Sequence, residues 1–272
     1  MVQWVPERIT IFHLYRRDGR ELYLHPFDDP QVMLSLRQGV EVVGKYGEEP
    51  RMDGVTSFHR QLYAYIDNAV RLWAREQHFM TNFLCAAVLF VALYVLLTLG
   101  GLSPLAAWGN AFVSLTAAGI LYVYCVRRAE QSEEVEEKRE YLRGKVDRIR
   151  FFPDEFVKDV EQQLHRSESV HTKKLLESIV APQEELFASR NIEDGRQMLQ
   201  YLERKLSARG YKRQERILRK YRRKRGDNAS LRFGKLSRVI KREELDLSLF
   251  AMYRSLKERF EVSGRTGGRR EE

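Results

Sequence analysis

Fifty consecutive residues, Gln77 to Val126, contain no Asp, Glu, Lys or Arg, although the chain carries 47 Lys+Arg and 38 Asp+Glu among its 272 residues. A bilayer core about 30 Å thick is crossed by about 20 apolar residues in helical form, so such a run holds two spans and a tight connection. Phe79 to Leu99 is the first and Leu105 to Val126 the second. Between them Gly100, Gly101, Ser103 and Pro104 end one helix and turn the chain. The competing reading is a hairpin buried in a water-soluble core, but two successive charge-free helices of this length are foreign to such cores. A cleaved signal peptide does not fit, because the apolar run starts at residue 79 rather than after a short basic N-terminus.

Orientation follows from Lys and Arg near the span ends. Arg60, Arg71 and Arg75 precede the first span. Arg127, Arg128, Lys138, Arg139, Arg143 and Lys145 follow the second, and the loop between has none. The sequence therefore predicts an integral, multi-pass membrane protein with both termini cytoplasmic. A bacterial cytoplasmic membrane is favoured, with the endoplasmic reticulum membrane as the other setting. The sequon Asn228-Ala229-Ser230 is then expected to stay unmodified.

The spans lack the ionisable groups that mark transport pathways. Ala106, Asn110, Ser114 and Ala118 recur every four residues on one face of the second helix, a seam where small side chains let another helix approach. Its occupant is the partner span of the same hairpin, or a second copy or another membrane protein.

Apolar periodicity continues past both spans. Phe58, Leu62, Tyr65, Ala69 and Leu72 are spaced 4, 3, 4, 3, and Val135, Leu142 and Ile149 recur at seven with Val146 beside them. We expect a stalk over 56–78 and 127–150, packed as an antiparallel coiled coil. An intermolecular coiled coil and separately solvated helices are the alternatives. Lys138 and Lys145 interrupt the heptads, and the acidic cluster between Glu130 and Glu137 solvates the stalk or answers the basic tail.

Residues 1–55 read as a small α+β module. Ile9 to Tyr15 and Arg20 to His25 are β-branched and aromatic segments around Asp18-Gly19, a hairpin turn signal. Pairing Arg17 with Arg20 sets Leu14 opposite Tyr23 and Phe12 opposite His25. His13 and His25 then point to opposite faces, which argues against a shared metal. Asp29-Pro30 starts a helix over 31–38, and 40–43 is a third strand. A lone hairpin is marginal in water, so other elements must cover it.

Residues 151–262 read as a helical cytoplasmic domain and 263–272 as a disordered tail. Helices are placed by Phe156, Val160 and Leu164, by Leu175, Leu176 and Ile179, and by Met198, Leu199, Leu202 and Leu206. The chain's positive excess lies at its end, where residues 211–272 hold 20 basic and 9 acidic side chains. The basic segment 211–242 is densest at Lys212, Arg213, Arg216, Arg219, Lys220, Arg222, Arg223, Lys224 and Arg225. Anionic lipid, nucleic acid and an acidic protein surface are the three partners such a helix fits. A final helix places Leu245, Leu249, Met252, Leu256 and Phe260 on one face, for docking onto the preceding domain or into a partner's groove.

No phosphate loop, His-Glu-x-x-His, G-x-S-x-G or paired-cysteine motif occurs, so no catalytic, cofactor or metal residue is assigned and an enzyme is not expected. The expected fold class is a mainly α membrane protein with a two-span hairpin, a cytoplasmic stalk, the N-terminal module and the C-terminal helical domain. The expected role is a membrane scaffold or adaptor that recruits a membrane or cytoplasmic protein partner. The alternatives are a tether for RNA or ribosomes, and an accessory subunit of a channel, transporter or membrane enzyme that could include a homo-oligomer.

Overall fold

The computed structural model describes residues 8–36, 39–99, 107–171, 174–175, 192–206, 212, 216 and 246–266. Strand β1 (Arg8–Tyr15) turns into β2 (Glu21–Leu24) through Arg17-Asp18-Gly19. The Arg16 N–H donates to Arg20 O (2.8 Å), the Gly19 N–H donates to Arg16 O (2.9 Å), and Gly19 sits at φ +78°. This is a three-residue loop with one left-handed residue, which glycine supplies without steric cost. The two-residue loop expected from Asp18-Gly19 is thus corrected, and the register moves by one: Leu14 faces Leu22 and Phe12 faces Leu24. A one-residue shift exchanges the faces of a strand. His13 consequently stands beside Tyr23, with His25 near Phe58 on the same aromatic side, and the expected opposition of the two histidines does not occur.

Asp29 accepts from the Gln31 N–H (3.0 Å) and Pro30 opens α1 (Pro30–Leu34), as a capped start with proline in the first turn should. Strand β3 (Glu41–Tyr46) runs parallel to β1, with Ile11 beside Gly44. Strand β4 (Phe151–Pro153), which sequence periodicity missed, is parallel to β3 in a sheet of order β2-β1-β3-β4. Parallel neighbours require a crossover connection. Here the connection is residues 47–150, and it contains both apolar helices.

Those helices are α2 (Met52–Leu99), 48 residues and about 72 Å long at 1.5 Å per residue, and α3 (Ala107–Glu130). Both are long and apolar enough to cross a membrane. Helix α4 (Glu133–Val146) follows a break at Gln131-Ser132. Then come α5 (Glu155–Ser169), α6 (Ile192–Lys205) and α7 (Leu247–Thr266). The protein is mostly helical with one small mixed sheet. Helix α7 runs four residues into the segment expected to be a tail; 267–272 and the Gly100–Pro104 turn lie outside the described residues.

The chain divides into two compact units. The first takes Met1–Val5, Phe27–Gln38 and His59–Arg148. Within it, Tyr63 bonds Asp147, Asp67 meets Arg143 (3.2 Å) and Arg139 (3.1 Å), Lys138 lies 3.8 Å over Trp73, and Arg75 pairs with Glu130 (2.6 Å). Numbers rise on one side as they fall on the other, so α2 runs antiparallel to α4 and the end of α3. On α2, Leu62, Ile66, Val70 and Ala74 are buried, and farther along so are Asn82 and Ala86. Tyr65 and Leu72, expected on this stripe, lie off it, with Leu72 exposed. A four-residue step turns about 40° around a helix of 3.6 residues per turn. The four-residue row therefore winds around α2, while Phe58, Leu62 and Ala69 of the expected stripe are buried as well, Ala69 seven residues after Leu62. Helix α4 keeps the expected seven-residue spacing, with Val135, Leu142 and Val146 buried.

The second unit takes Pro6–Pro26, Gly39–Phe58 and Ile149–Glu272. Phe12, Leu14 and Leu24 from the sheet share one core with Phe156, Val160 and Leu164 of α5, Met198 and Leu202 of α6, and Met252, Leu256 and Phe260 of α7. Strands of the N-terminal segment and helices of the C-terminal segment thus share one hydrophobic core. Tyr23, Phe58 and Phe151 pack on the other face of the sheet.

Candidate functional site

Three of the four seam residues are placed, and all three are buried: Asn110, Ser114 and Ala118, with Ala106 outside the described residues. The Ser114 hydroxyl donates to Asn110 O (2.9 Å), which satisfies it locally. On α2 the withdrawn side chains along the apolar stretch are Asn82 and Ala86, again four residues apart. Sequence reasoning found the repeat on α3 and missed the buried pair Asn82 and Ala86 on α2, which sits among larger apolar residues. Asn82 Nδ2 and Asn110 Oδ1 are buried with no hydrogen-bond partner among the described residues.

Away from this seam the same helices expose apolar side chains. Phe79, Leu84, Val88, Val91 and Leu99 on α2 and Trp108, Phe112, Leu115 and Ile120 on α3 are all exposed. The most apolar stretches of α2 and α3 are only 6% and 17% buried. A soluble core helix would be mostly buried, and a patch of this extent needs another apolar phase or partner.

The proposed docking face is occupied by the chain itself. Leu249, Met252, Leu256 and Phe260 are buried in the core with α5 and α6, and Phe260 packs edge-on to Phe156 at 6.2 Å between ring centroids. Phe250, Ala251 and Tyr253 are buried too, so helix α7 is enclosed on several sides. Of the two dockings considered, the structure takes the intramolecular one; Leu245 lies outside the described residues. Lys212 and Arg216 are exposed, while Arg213, Arg219, Lys220, Arg222, Arg223, Lys224 and Arg225 lie outside the described residues.

Two ion clusters tie the helices to the sheet. Lys45 on β3 meets Asp154 (2.9 Å) and Asp194, and the Thr10 hydroxyl donates to Asp194 (3.3 Å). Gln197 accepts from the Thr10 N–H (3.0 Å) and donates to Arg8 O (3.1 Å), so α6 is bonded to β1 at an otherwise apolar face. Burial works against the Lys45 charge, but its hydrogen bonds to Asp194 and Asp154 raise its pKa above the ordinary value.

At the hairpin turn, Arg16 pairs with Glu168 (2.6 Å) and Asp246 (2.5 Å), and Asp246 caps α7 by accepting from the Leu249 N–H (3.1 Å). Burial pushes the Asp246 carboxyl up, yet hydrogen bonds from Ser248, Arg16 and Leu249 together hold it below the usual carboxylate value. A depressed carboxylate contributes stability above its unfolded value, about pH 3.9, that is lost as pH falls through the folded one. Asp246→Asn keeps a capping oxygen but removes the charge paired with Arg16, and is expected to cost about 1 kcal/mol and to flatten the acid limb of a stability-against-pH curve. Chemical denaturation of the full chain across acidic pH measures both.

These clusters are mutually satisfied and frame no open polar pocket among the described residues. Nor is any group of three or more His, Cys, Asp or Glu placed to hold a metal there. No known family model matches the chain, and no curated protein or solved structure is similar to it at a significant level.

Proposed function

We propose that the protein is a double-pass membrane anchor whose two ends form one cytoplasmic domain, acting as a scaffold or adaptor at the membrane surface. One observation carries this reading. The apolar helices lie in the connection between β3 and β4, adjacent parallel strands of a single sheet. The chain leaves and returns to neighbouring points: the Gly44 N–H donates to Arg150 O (2.8 Å) and the Asp154 N–H to Tyr46 O (2.9 Å). A bilayer cannot separate strands that share backbone hydrogen bonds, so a membrane-inserted chain must cross it an even number of times. Two spans of about 20 apolar residues satisfy that count. Arg71, Arg127 and Arg128, all exposed, give the flanks the charge of a cytoplasmic side.

The adaptor role rests on charge. With the apolar face of α7 enclosed, the recruiting element we assign is the sequence of the basic segment 211–242, whose charge suits an acidic protein or an anionic membrane surface. The test places a protease-cleavable tag at each end of the full chain in sealed vesicles. Both tags should be cut from the same side and the chain should resist carbonate extraction. Tags on opposite sides, or release by carbonate, would overturn the anchor. Neutralising Arg222, Arg223, Lys224 and Arg225 together should abolish capture of the partner from native membranes, and unchanged capture would reject the adaptor role alone.

A further inference from the structure

Leu84 lies two residues from Asn82 and from Ala86, and Phe112 two from Asn110 and from Ser114. At about 100° per residue, each therefore points away from the buried seam. On α2 this outer row runs at steps of three and four from Glu76 through Met80 and Leu84 to Val91, Val95 and Leu99, all exposed. An open apolar groove follows it from Leu84 to Leu99, with Ala87 and Ala92 among its walls. On α3 the outer row runs from Trp108 through Phe112, Leu115 and Gly119 to Arg127, exposed throughout.

Each row ends at the edge of the apolar stretch in a charge, and the two charges are opposite. Glu76 closes the row on α2; Arg127 closes that on α3, with Arg128 beside it. None of the three side chains makes an ion pair among the described residues, whereas their neighbours Arg75 and Glu130 meet at 2.6 Å across the seam. That pair also sets the heights of the two helices. Counting outward from it along both helices brings Arg127 and Arg128 within about 3 Å of the level of Glu76, at 1.5 Å per residue. Gly119 comes level between Leu84 and Val88, Phe112 between Val91 and Val95, and Trp108 between Val95 and Leu99.

We propose that copies of this chain assemble side by side in the membrane, the outer face of α2 in one packing on the outer face of α3 in the next, with Glu76 paired to Arg127 or Arg128. The assembly rests on the double-pass reading, because only chains of one orientation hold these levels in common. Phe112 and Trp108 are then knobs for the α2 groove, and Leu84 is a knob for the hole at Gly119. Glycine weakens a helix interior. Nothing in its own chain comes within 4 Å of where a Cβ on Gly119 would stand, so the reason for it lies outside the chain.

Charge decides between occupants. A two-fold pair through α2 sets Glu76 against Glu76, and one through α3 sets arginines against arginines, which like-charge repulsion disfavours. An anionic lipid headgroup suits Arg127 but repels Glu76. Only the α2 face against the α3 face satisfies both ends, and such a head-to-tail contact closes into a ring or runs on as a row.

The test is disulfide cross-linking of full chains in native membranes, with Cys85 and Cys125 first changed to alanine. One tagged chain carries Val95→Cys and a differently tagged chain Phe112→Cys; Leu84→Cys with Gly119→Cys is a second pair. Mixed chains should give a cross-linked product bearing both tags, and either chain alone should give none. Glu76→Arg in the first chain should lower the yield about fivefold, and Arg127→Glu in the second should restore it. Only chains that resist carbonate extraction are scored. Release by carbonate would overturn the anchor and the assembly together. In resistant chains, no product from either pair, equal product from one chain alone, or a yield indifferent to Glu76→Arg would overturn the assembly and leave the anchor standing.

Discussion

Ending the chain at Leu245 should unfold the strands at the opposite end of the sequence. Helix α7 supplies Leu249, Phe250, Ala251, Met252, Tyr253, Leu256 and Phe260 to the core that holds Phe12, Leu14 and Leu24. Each large side chain fully buried is worth about 1.5–3 kcal/mol. Removing six of them takes away roughly 10 kcal/mol, comparable with the 5–15 kcal/mol of net stability an ordinary domain possesses. The cut also strips Arg16 of Asp246 and uncovers apolar faces of α5 and α6. Limited proteolysis in membranes reads the result: sites in 8–26 protected in the intact chain should be cleaved quickly in the truncated one. The point substitution Leu256→Ala should act in the same direction by about 2–5 kcal/mol, with Arg71→Gln on the exposed side of α2 as a neutral control. Protected strands in the truncated chain would mean that the two ends do not share a core. By the same reasoning, residues 151–272 alone lack the sheet that α5 and α6 pack on, so binding measurements belong on the whole chain.

What could be read from sequence divides along range of interaction. Elements set by their own residues were legible: the charge-free helices, the Asp29-Pro30 cap, β1, and the amphipathic stripes of α5 and α6. The hairpin register was not, because Asp18-Gly19 is compatible with a two- or three-residue loop and only the pairing of Arg16 with Arg20 distinguishes them. Strand β4 is three residues ending in Pro153, too short to show a period, and exists because β3 offers it an edge. Tyr65 and Leu72 fit the same periodic stripe as Leu62 and Ala69, and only burial tells that Leu62 and Ala69 face inward together with Ile66, Val70 and Ala74. The core uniting Phe12 with Leu256 joins residues more than two hundred positions apart, and no local pattern announces such a contact. Within the seam, Ser114 was visible as a small polar residue in an apolar helix, whereas Ala86 was indistinguishable from its neighbours until burial set it apart.

Val88→Arg is the substitution for which lipid and water predict opposite outcomes. Val88 lies near the middle of the first apolar stretch and is 67% exposed, away from Asn82 and Ala86 on the buried side. If hydrocarbon surrounds it, an arginine at the centre of the span costs about 2.5–3.5 kcal/mol on insertion scales. That is roughly a hundredfold in the insertion equilibrium constant, since each 1.4 kcal/mol is a factor of ten. The variant should therefore be depleted from the membrane fraction and become carbonate-extractable. If water surrounds it, the same change replaces an exposed apolar group with a charged one and should raise solubility at little cost in stability. Ala118→Leu provides the complementary case: it is apolar and tolerated by lipid, but Ala118 is buried in the seam, where added bulk forces the helices apart. It should leave insertion intact and lower the yield of a disulfide engineered between α2 and α3. Loss of insertion in Ala118→Leu together with retention in Val88→Arg would reverse the assignment of the two faces.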